Sequence, residues 1–363
     1  MKHKGNHILN IVKVVTIIMK TEKNIYHKIY KLENLIYAYN RAKRSKRYKF
    51  QVREFETDRE LNILYIAHIL ENELYSPGEY HIFKVYEPKE RLIMALPFLD
   101  RIVQHAIVNV IESIFNKRFI THSYACIQNK GVHEASNILS TWLYNTCVKQ
   151  SKKMYAIKGD IKHYFQNVDH EILKYEIKRY ISDKKILNIL DVIIEHNGVY
   201  PDGVGIPVGN LTSQLFANIY LNILDQYVKH ELHVKYYIRY MDDFIILDND
   251  LSKLKFILDS IKSFCGKNLK LQLNAKSTIL SAKNGIDFIG YRHWAEKKIV
   301  RKKAKRGVVK LLKNFERGET PIEEFKMSFT SRMASIRHAD SYNLRKKYYK
   351  RANELISAYR KYK

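Results

Sequence analysis

The spacing of apolar residues along the chain predicts a mixed but largely helical protein. In long segments the apolar positions recur every three or four residues, a period that places them on one face of a helix. These segments are residues 21–44, 57–74, 98–119, 132–148, two stretches between 162 and 196, 211–232 and 252–264. Shorter runs of apolar and β-branched residues predict strands at 81–86, 92–96 and 154–161, and around Leu271, Ile279 and Phe288.

An acidic pair lies inside a strongly apolar stretch. Residues 236–247 read Tyr-Tyr-Ile-Arg-Tyr-Met-Asp-Asp-Phe-Ile-Ile-Leu. Strong β-formers on both sides of Asp242 and Asp243 predict a β-hairpin that carries the acids close to a packed sheet. The apolar strand at 154–161 also carries an acid near its end, Asp160. Together with the helical segments, these strands predict an α+β fold with a separate helical C-terminus.

Composition indicates a nucleic-acid partner. The 363 residues include 64 Lys and Arg against 37 Asp and Glu, and the resulting net charge of +27 attracts polyanions. Gly and Pro are scarce, at 13 and 6 residues, which excludes a disordered or collagen-like chain. The 3 cysteines have no C-x-x-C spacing, so we expect neither a disulfide framework nor a zinc site, and a reducing cytoplasm fits.

The N-terminus allows two interpretations. Residues 8–19 form an apolar run after a basic start, as in a signal peptide, but Lys13 interrupts the run and no small-residue cleavage site follows. The run is also shorter than the roughly 20 residues of a membrane span, and no membrane association is expected. Either residues 1–18 are a leader and Met19 is the biological start, or the segment is a genuine strand or helix.

The three acids suggest a cation site. Carboxylates held together beside a packed sheet cannot all stay ionised without a counter-charge. Oxygen ligands without His or Cys favour Mg²⁺. If the strand that ends in Asp160 lies beside the hairpin, Asp160, Asp242 and Asp243 converge on a site for two metal ions. Such a site suits phosphoryl or nucleotidyl transfer.

The motifs around these acids resemble those of reverse transcriptases. Residues 240–243, Tyr-Met-Asp-Asp, are similar to the signature tetrad of that family, and Asp160 with Phe165 is similar to its first catalytic motif. Further similar segments follow in the family's order across about residues 80–295: Lys89, Arg91, Pro97, Asp100 and Arg101, then 123–126 with His133, 271–278 and 288–291. The resemblance implies a right-hand polymerase fold, with fingers and palm at residues 19–295 and a helical, basic thumb at 296–363.

One loop resembles a subfamily. Group II intron enzymes carry Gln-Gly-x-x-x-Ser-Pro before the palm helix, whereas this chain has Val208, Gly209 and, after Ser213, Gln214. This pattern resembles the reverse transcriptases of diversity-generating retroelements, which are associated with misincorporation opposite template adenines. The absence of a Gln side chain at position 208 removes a polar contact near the nascent base pair, which gives the association a physical basis.

The resemblance also implies roles for individual residues. It assigns catalysis to the three acids. It assigns two Mg²⁺ ions, with Mn²⁺ as an alternative, to Asp160, Ile161, Asp242 and Asp243. We expect Asp243 to contribute less than Asp160 and Asp242, because neighbouring strand residues point in opposite directions. The expected nucleotide-binding residues are Lys89, Arg91, Phe165, Val208, Gly209, Gln214 and Lys276. The expected primer and template contacts are Tyr240, Met241, Gly290, Tyr291, Arg301 and Lys302.

Two of these roles are chemically specific. The ring of Phe165 is expected to exclude a ribose 2′-hydroxyl and so to favour deoxynucleotides. The ammonium group of Lys276 is expected to protonate the leaving pyrophosphate.

Three functions remain open. The first is an enzyme of a bacterial or phage-encoded retroelement in the cytoplasm. It would use deoxynucleoside triphosphates to copy a cognate template RNA into cDNA with adenine-directed errors, alongside a small basic accessory protein. The second is a bacterial reverse transcriptase of antiviral defence or of a retron. The third is a non-catalytic RNA-binding scaffold, which the intact acids disfavour.

Overall fold

The computed structural model of the protein describes residues 21–86 and 90–361. These residues form helices and three antiparallel sheets, so the expected α+β class is confirmed. The chain divides into two compact units, each built from separate segments. Unit 1 contains residues up to 119, 163–223 and 268–271, and unit 2 contains 120–162, 224–267 and 272 onward. The proposed leader, residues 1–18, lies outside the described residues.

The helices follow the apolar periodicity of the sequence. In the described residues the α-helices are α1 (His27–Tyr30), α2 (Leu32–Ala42), α3 (Phe50–Thr57), α4 (Arg59–Glu71), α5 (Phe98–Asn116), α6 (Val132–Leu143), α7 (His170–Lys178), α8 (Lys184–Glu195), α9 (Leu211–Gln226), α10 (Leu251–Leu269), α11 (Lys302–Glu316), α12 (Ile322–Ile336) and α13 (Tyr342–Lys361). Short π-helical segments, Tyr144–Lys149 and Tyr227–Glu231, follow α6 and α9. None of the helices described is long and apolar enough to cross a membrane.

The strands form three sheets. They are β1 (His81–Val85), β2 (Arg91–Ala95), β3 (Tyr155–Asp160), β4 (Tyr236–Tyr240), β5 (Asp243–Asp248), β6 (Thr278–Ser281), β7 (Ile286–Phe288), β8 (Tyr291–His293) and β9 (Lys298–Val300). β1 and β2 form a hairpin, β4-β5-β3-β6 form the main sheet, and β7-β8-β9 form a small sheet. The expected hairpin at 236–247 and the expected strand at 154–161 are confirmed.

Unit 1 is a helical core that carries the β1–β2 hairpin. Its central helix, α5, is buried along most of its length, from Phe98 to Phe115. α5 packs against α2, whose apolar positions Leu35, Ala38 and Tyr39 are buried. Because Met94 of β2 donates its amide to the carbonyl oxygen of Val208 at 3.0 Å, the hairpin is also bonded to the loop that precedes α9.

Unit 2 has two apolar clusters. One lies on the face of the main sheet that carries Ile238 and Ile245, and is covered by Leu139 and Leu143 of α6. The other forms the core of the C-terminal helices, where the Phe315 and Phe325 rings stack with their centroids 4.1 Å apart. The expected helical C-terminus is thus confirmed, although β9 lies within its expected range.

The structure differs from the expected elements in three places. The helix expected at 21–44 is divided at Lys31, whose ψ of 132° is non-helical, and no Pro or Gly marks the break. No strand forms at Leu271; an isolated bridge joins Ile161 to Leu273 instead. β8 and β9 were not expected, because a strand of three residues is too short to show a two-residue period.

Gly159 determines how closely β3 and β5 pack before the acids. It lies directly opposite Phe244, and a Cβ atom at position 159 would lie 2.0 Å from that ring. The Phe244 ring is fully buried and therefore has no space into which it can move. The residue before Asp160 must consequently lack a side chain.

We expect Gly159→Ala to destabilise the protein by about 1–3 kcal/mol through overpacking, measured by urea unfolding. Gly131→Ala is the matched control, because Gly131 has extended backbone and no neighbour within 4 Å of an added Cβ. Its cost should be smaller, about 0.5 kcal/mol, because only the N-cap preference of glycine over alanine is lost. Equal costs for both variants would contradict this account of the β3–β5 packing.

Candidate active site

The three acids lie at one end of the main sheet in unit 2. Asp160, the last residue of β3, is directly opposite Asp243, the first residue of β5. In the same row, Tyr240 of β4 is opposite Asp243. Since directly paired residues share a face of the sheet, Asp160, Tyr240 and Asp243 lie on one face. The sheet therefore brings the acids of two separate motifs together.

Asp242 lies in the tight turn between β4 and β5. The pair Tyr240–Asp243 closes this turn, and Met241 and Asp242 are its two central residues. Met241 has a φ of 54°, as the first central residue of a type II′ turn does. This conformation costs a non-glycine residue about 1–3 kcal/mol and persists only when its surroundings enforce it. The turn is therefore a strained element that needs support.

The backbone joins Asp242 to β3. The Ile161 amide donates to the Asp242 carbonyl oxygen at 3.3 Å. We ranked Asp243 below Asp242 because side chains alternate along a strand. That alternation does not apply to Asp242, because this residue lies in the turn. The register instead pairs Asp243 with Asp160.

The donor set fits a hard divalent cation that is shared with a substrate. The side chains of Asp160, Asp242 and Asp243 are partly exposed, and all their donor atoms are oxygens. Among the described residues, no group of three or more His, Cys, Asp and Glu side chains is arranged to hold a metal ion. Mg²⁺ usually takes one or two carboxylates and completes its shell with water and substrate phosphates, so the arrangement is compatible with this ion.

A fully buried ion pair lies directly behind the turn. The Nε and Nη2 atoms of Arg239 donate to Oδ1 and Oδ2 of Asp225, at 2.7 and 2.6 Å. Both side chains are 0% exposed. The Tyr237 hydroxyl also donates to Oδ1 of Asp225, at 2.7 Å, and burial raises its pKa well above the ordinary value, so it remains a donor. Asp225, from α9, thus accepts three hydrogen bonds from β4.

The remaining nitrogen of Arg239 holds the turn. Nη1 donates to the carbonyl oxygen of Met241 at 3.0 Å. Because the guanidinium is planar and its other two nitrogens are bound to Asp225, the position of this donor is determined by the ion pair. The strained turn that carries Asp242 is therefore attached to α9 through one side chain.

Lys276 lies in a second turn attached to Asp160. The Asn274 amide donates to the Asp160 carbonyl oxygen at 2.7 Å, and the Asp160 amide donates to the Ser277 hydroxyl at 3.2 Å. Lys276 lies between these two contacts and is exposed. The structure therefore places this ammonium group on a turn anchored to the acid of β3.

Unit 1 assembles most of the expected nucleotide-binding residues. Phe165, partly buried, lies in the 3₁₀ segment Tyr164–Asn167, and its carbonyl oxygen accepts the Ile206 amide at 2.8 Å. Val208 follows two residues later and is bonded to Met94. Gly209 has a φ of 128°, and an added Cβ would lie 2.9 Å from the Met94 carbonyl oxygen. Only glycine fits at that position.

The other nucleotide-binding candidates are less constrained. Arg91 is exposed at the start of β2, three residues before Met94, or about 10 Å along a strand. Gln214 is partly exposed in the first turn of α9. Lys89 lies outside the described residues.

The expected primer and template residues divide into exposed and buried groups. Tyr240 and Met241 are partly exposed, and Gly290, Arg301 and Lys302 are exposed. Tyr291 is instead 2% exposed, and its hydroxyl donates to the Ser335 carbonyl oxygen at 2.9 Å. In this structure Tyr291 joins β8 to α12, so its side chain is not available to a primer.

Sequence reasoning gave no role to Arg239 and did not select Asp225. Each is a charged residue inside a strongly apolar element, and a charge in such a position is costly unless it is paired. That signal was visible for both residues separately. Their pairing was not, because it depends on the contact between α9 and β4.

Comparisons with known proteins identify the family of the chain. A family model described as "Reverse transcriptase (RNA-dependent DNA polymerase)" matches residues 84–293. The Escherichia coli K12 protein YkfC is 27% identical over 318 residues, which cover 74% of this chain and 80% of YkfC. The retron Ec73 reverse transcriptase of Escherichia coli is 25% identical over 218 residues, which cover 55% of this chain and 61% of the retron enzyme.

A solved structure supports the fold. Apo telomerase from Candida tropicalis matches with a TM-score of 0.52 and 14% identity, over 71% of this chain and 57% of the telomerase chain. This chain thus spans less than two thirds of both the telomerase and the retron enzyme. At this identity the similarity concerns the fold alone, which is the expected right-hand polymerase fold.

We expect Asp225→Asn and Arg239→Met each to destabilise the protein by about 3–5 kcal/mol, because each leaves one buried group without its partner. The double variant Asp225→Asn with Arg239→Met should cost less than the sum of the two single variants, since neither charge remains. Tyr237→Phe, which removes one neighbouring hydrogen bond, should cost about 1 kcal/mol. Urea unfolding measures all four, and additive costs would contradict a coupled pair.

Proposed function

The chain belongs to the reverse transcriptase family, and on this premise we propose that Asp160, Asp242 and Asp243 catalyse RNA-directed DNA synthesis. The observation that carries the proposal is the register that places Asp160 opposite Asp243 and beside the turn of Asp242. These acids come from the two motifs that are separate in sequence and that the family uses together.

We propose that the acids and the backbone of Ile161 hold two Mg²⁺ ions. Bound there, the ions would make the primer 3′-hydroxyl a better nucleophile and neutralise charge on the triphosphate. Arg91 and Lys89 would bind the triphosphate, since a guanidinium is suited to phosphate oxygens. The partly buried ring of Phe165 would exclude a 2′-hydroxyl, and the exposed ammonium of Lys276 would donate the proton to pyrophosphate.

The first turn of α11 supports a role in holding the primer–template duplex. It begins at Lys302 and contains Lys303 and Lys305 but no acidic residue. Positive charge at a helix N-terminus is unfavourable, and phosphate groups of a duplex would relieve it. With a net charge of +27, binding should weaken steeply as salt concentration rises.

We further propose adenine-directed mutagenesis in a diversity-generating retroelement. The backbone of Val208 is bonded to β2, while its aliphatic side chain is partly exposed and offers no amide. A nascent pair beside it would lose one polar contact. The proposal includes a cognate RNA, a small basic accessory protein and a cytoplasmic location. A retron or antiviral-defence enzyme is the second candidate, favoured by the similarity to the retron enzyme.

The test is primer extension on an RNA template with Mg²⁺ and all four deoxynucleotides. We expect full-length cDNA from the unmodified protein and a loss of at least about 10²–10³-fold in rate for Asp160→Asn and Asp242→Asn. Asp259→Asn, an exposed acid of α10 in a surface ion pair, is the matched control and should retain the rate. Rates for the two active-site variants close to that of the control would refute the proposal.

Sequencing the same cDNA distinguishes the two candidate functions. Errors concentrated opposite template adenines, and reduced in Val208→Gln, are the result expected for a diversity-generating enzyme. Faithful cDNA from the unmodified protein would contradict the mutagenesis proposal and favour the retron or defence alternative.

A further inference from the structure

Unit 2 contains a cavity that the catalytic residues do not line. It has a volume of about 430 Å³, within the usual range for ligand sites. Four segments of the chain line it: Cys147, then 152–154, 281–283 and 294–297. We call it the Trp294 pocket.

The Trp294 pocket lies at the end of β3 opposite to Asp160. Met154 precedes β3, and Tyr155, the first residue of the strand, pairs with Ser281. Asp160 is six positions after Met154, which is about 20 Å in an extended strand. A nucleotide bound in the pocket is therefore distinct from one that reacts at the acids.

The lining of the pocket is strongly cationic. Lys152, Lys153, Lys283 and Lys297 contribute four ammonium groups, against one carboxylate, Glu296. Among the described residues, none of these four lysines forms an ion pair. Clustered cations without acidic partners repel one another, so a ligand with more than one negative charge would stabilise them.

The pocket also offers an aromatic surface that is already held in place. Gly285 lies against the Trp294 indole, so closely that a Cβ there would lie 2.6 Å from the ring. The Arg292 guanidinium, which donates to the Asn284 carbonyl oxygen, lies 5.4 Å from the indole centroid. Trp294 remains partly exposed. The indole therefore loses little conformational freedom when a ligand binds.

We propose that the Trp294 pocket binds a single-stranded segment of nucleic acid, with phosphates on the lysines and a base against the apolar lining. Cations combined with an aromatic surface are the means by which proteins bind single strands, whereas a duplex keeps its bases stacked inside. The choice of nucleic acid as ligand rests on the proposed function, which brings template RNA and cDNA to this protein. Both strands have the required chemistry.

Fluorescence of Trp294 tests the proposal at the site itself. The chain has 2 tryptophans, so Trp142→Phe leaves Trp294 as the sole indole. We expect a twenty-nucleotide oligoadenylate to quench this emission saturably. Lys153→Glu with Lys283→Glu should raise the half-quenching concentration about tenfold at physiological salt. The matched control, Lys255→Glu with Lys267→Glu, reverses two exposed lysines of α10 and should change it less than about twofold.

Three results would overturn the proposal: no quenching, equal shifts in both charge-reversed variants, or equal quenching by adenosine monophosphate at the same nucleotide concentration. Comparison of ribo- and deoxyriboadenylate shows which strand binds more tightly. Primer extension by the Trp142→Phe protein is measured in parallel. Extension without quenching refutes only the pocket, and quenching without extension refutes only the polymerase function.

Discussion

The turn that carries Asp242 depends on one buried charge pair. Removing Arg239 and Asp225 from water costs several kcal/mol for each ion, and their attraction offsets this only when the geometry is good and the remaining donors are satisfied. Here the pair is bidentate, Tyr237 adds a third hydrogen bond, and the last guanidinium nitrogen binds the Met241 carbonyl. The pair is therefore better understood as a means of fixing geometry than as a source of stability. It holds Met241 at a positive φ and so fixes the backbone that carries Asp242.

The residues proposed for catalysis and those proposed for nucleotide binding belong to different units. Unit 2 holds the acids, because the β3–β5 register and the Ile161 amide join both acidic motifs. Unit 1 holds Phe165, Val208 and Gly209, because backbone hydrogen bonds join their loops to one another and to β2. The chain passes from unit 2 to unit 1 between Lys162 and His163, within the first catalytic motif. Asp160 and Phe165 are thus only five positions apart in sequence but belong to separate units.

Much of the fold and of the candidate site could be predicted from the sequence. The hairpin and β3 were predictable because their β-formers are dense and their acids are out of place in an apolar run. The burial of Tyr291 was not predictable, because a motif match gives no information on burial. The ranking of Asp243 below Asp242 rested on strand alternation, which does not extend to Asp242 because that residue lies in the turn. The Arg239–Asp225 pair could not be derived, since two lone charges in apolar elements indicate that each needs a partner without indicating which one.

The central claim is that Asp160 and the Asp242–Asp243 turn form one metal site. Hydroxyl-radical cleavage tests it directly: Fe²⁺ takes the place of Mg²⁺, ascorbate and peroxide are added, and the peptide bonds cut near the bound ion are mapped by mass spectrometry. The account predicts cuts in two segments, around Asp160 and around residues 241–243, and loss of both in Asp160→Asn. Cuts in only one of these segments, or cuts near the turn that persist in Asp160→Asn, would contradict it.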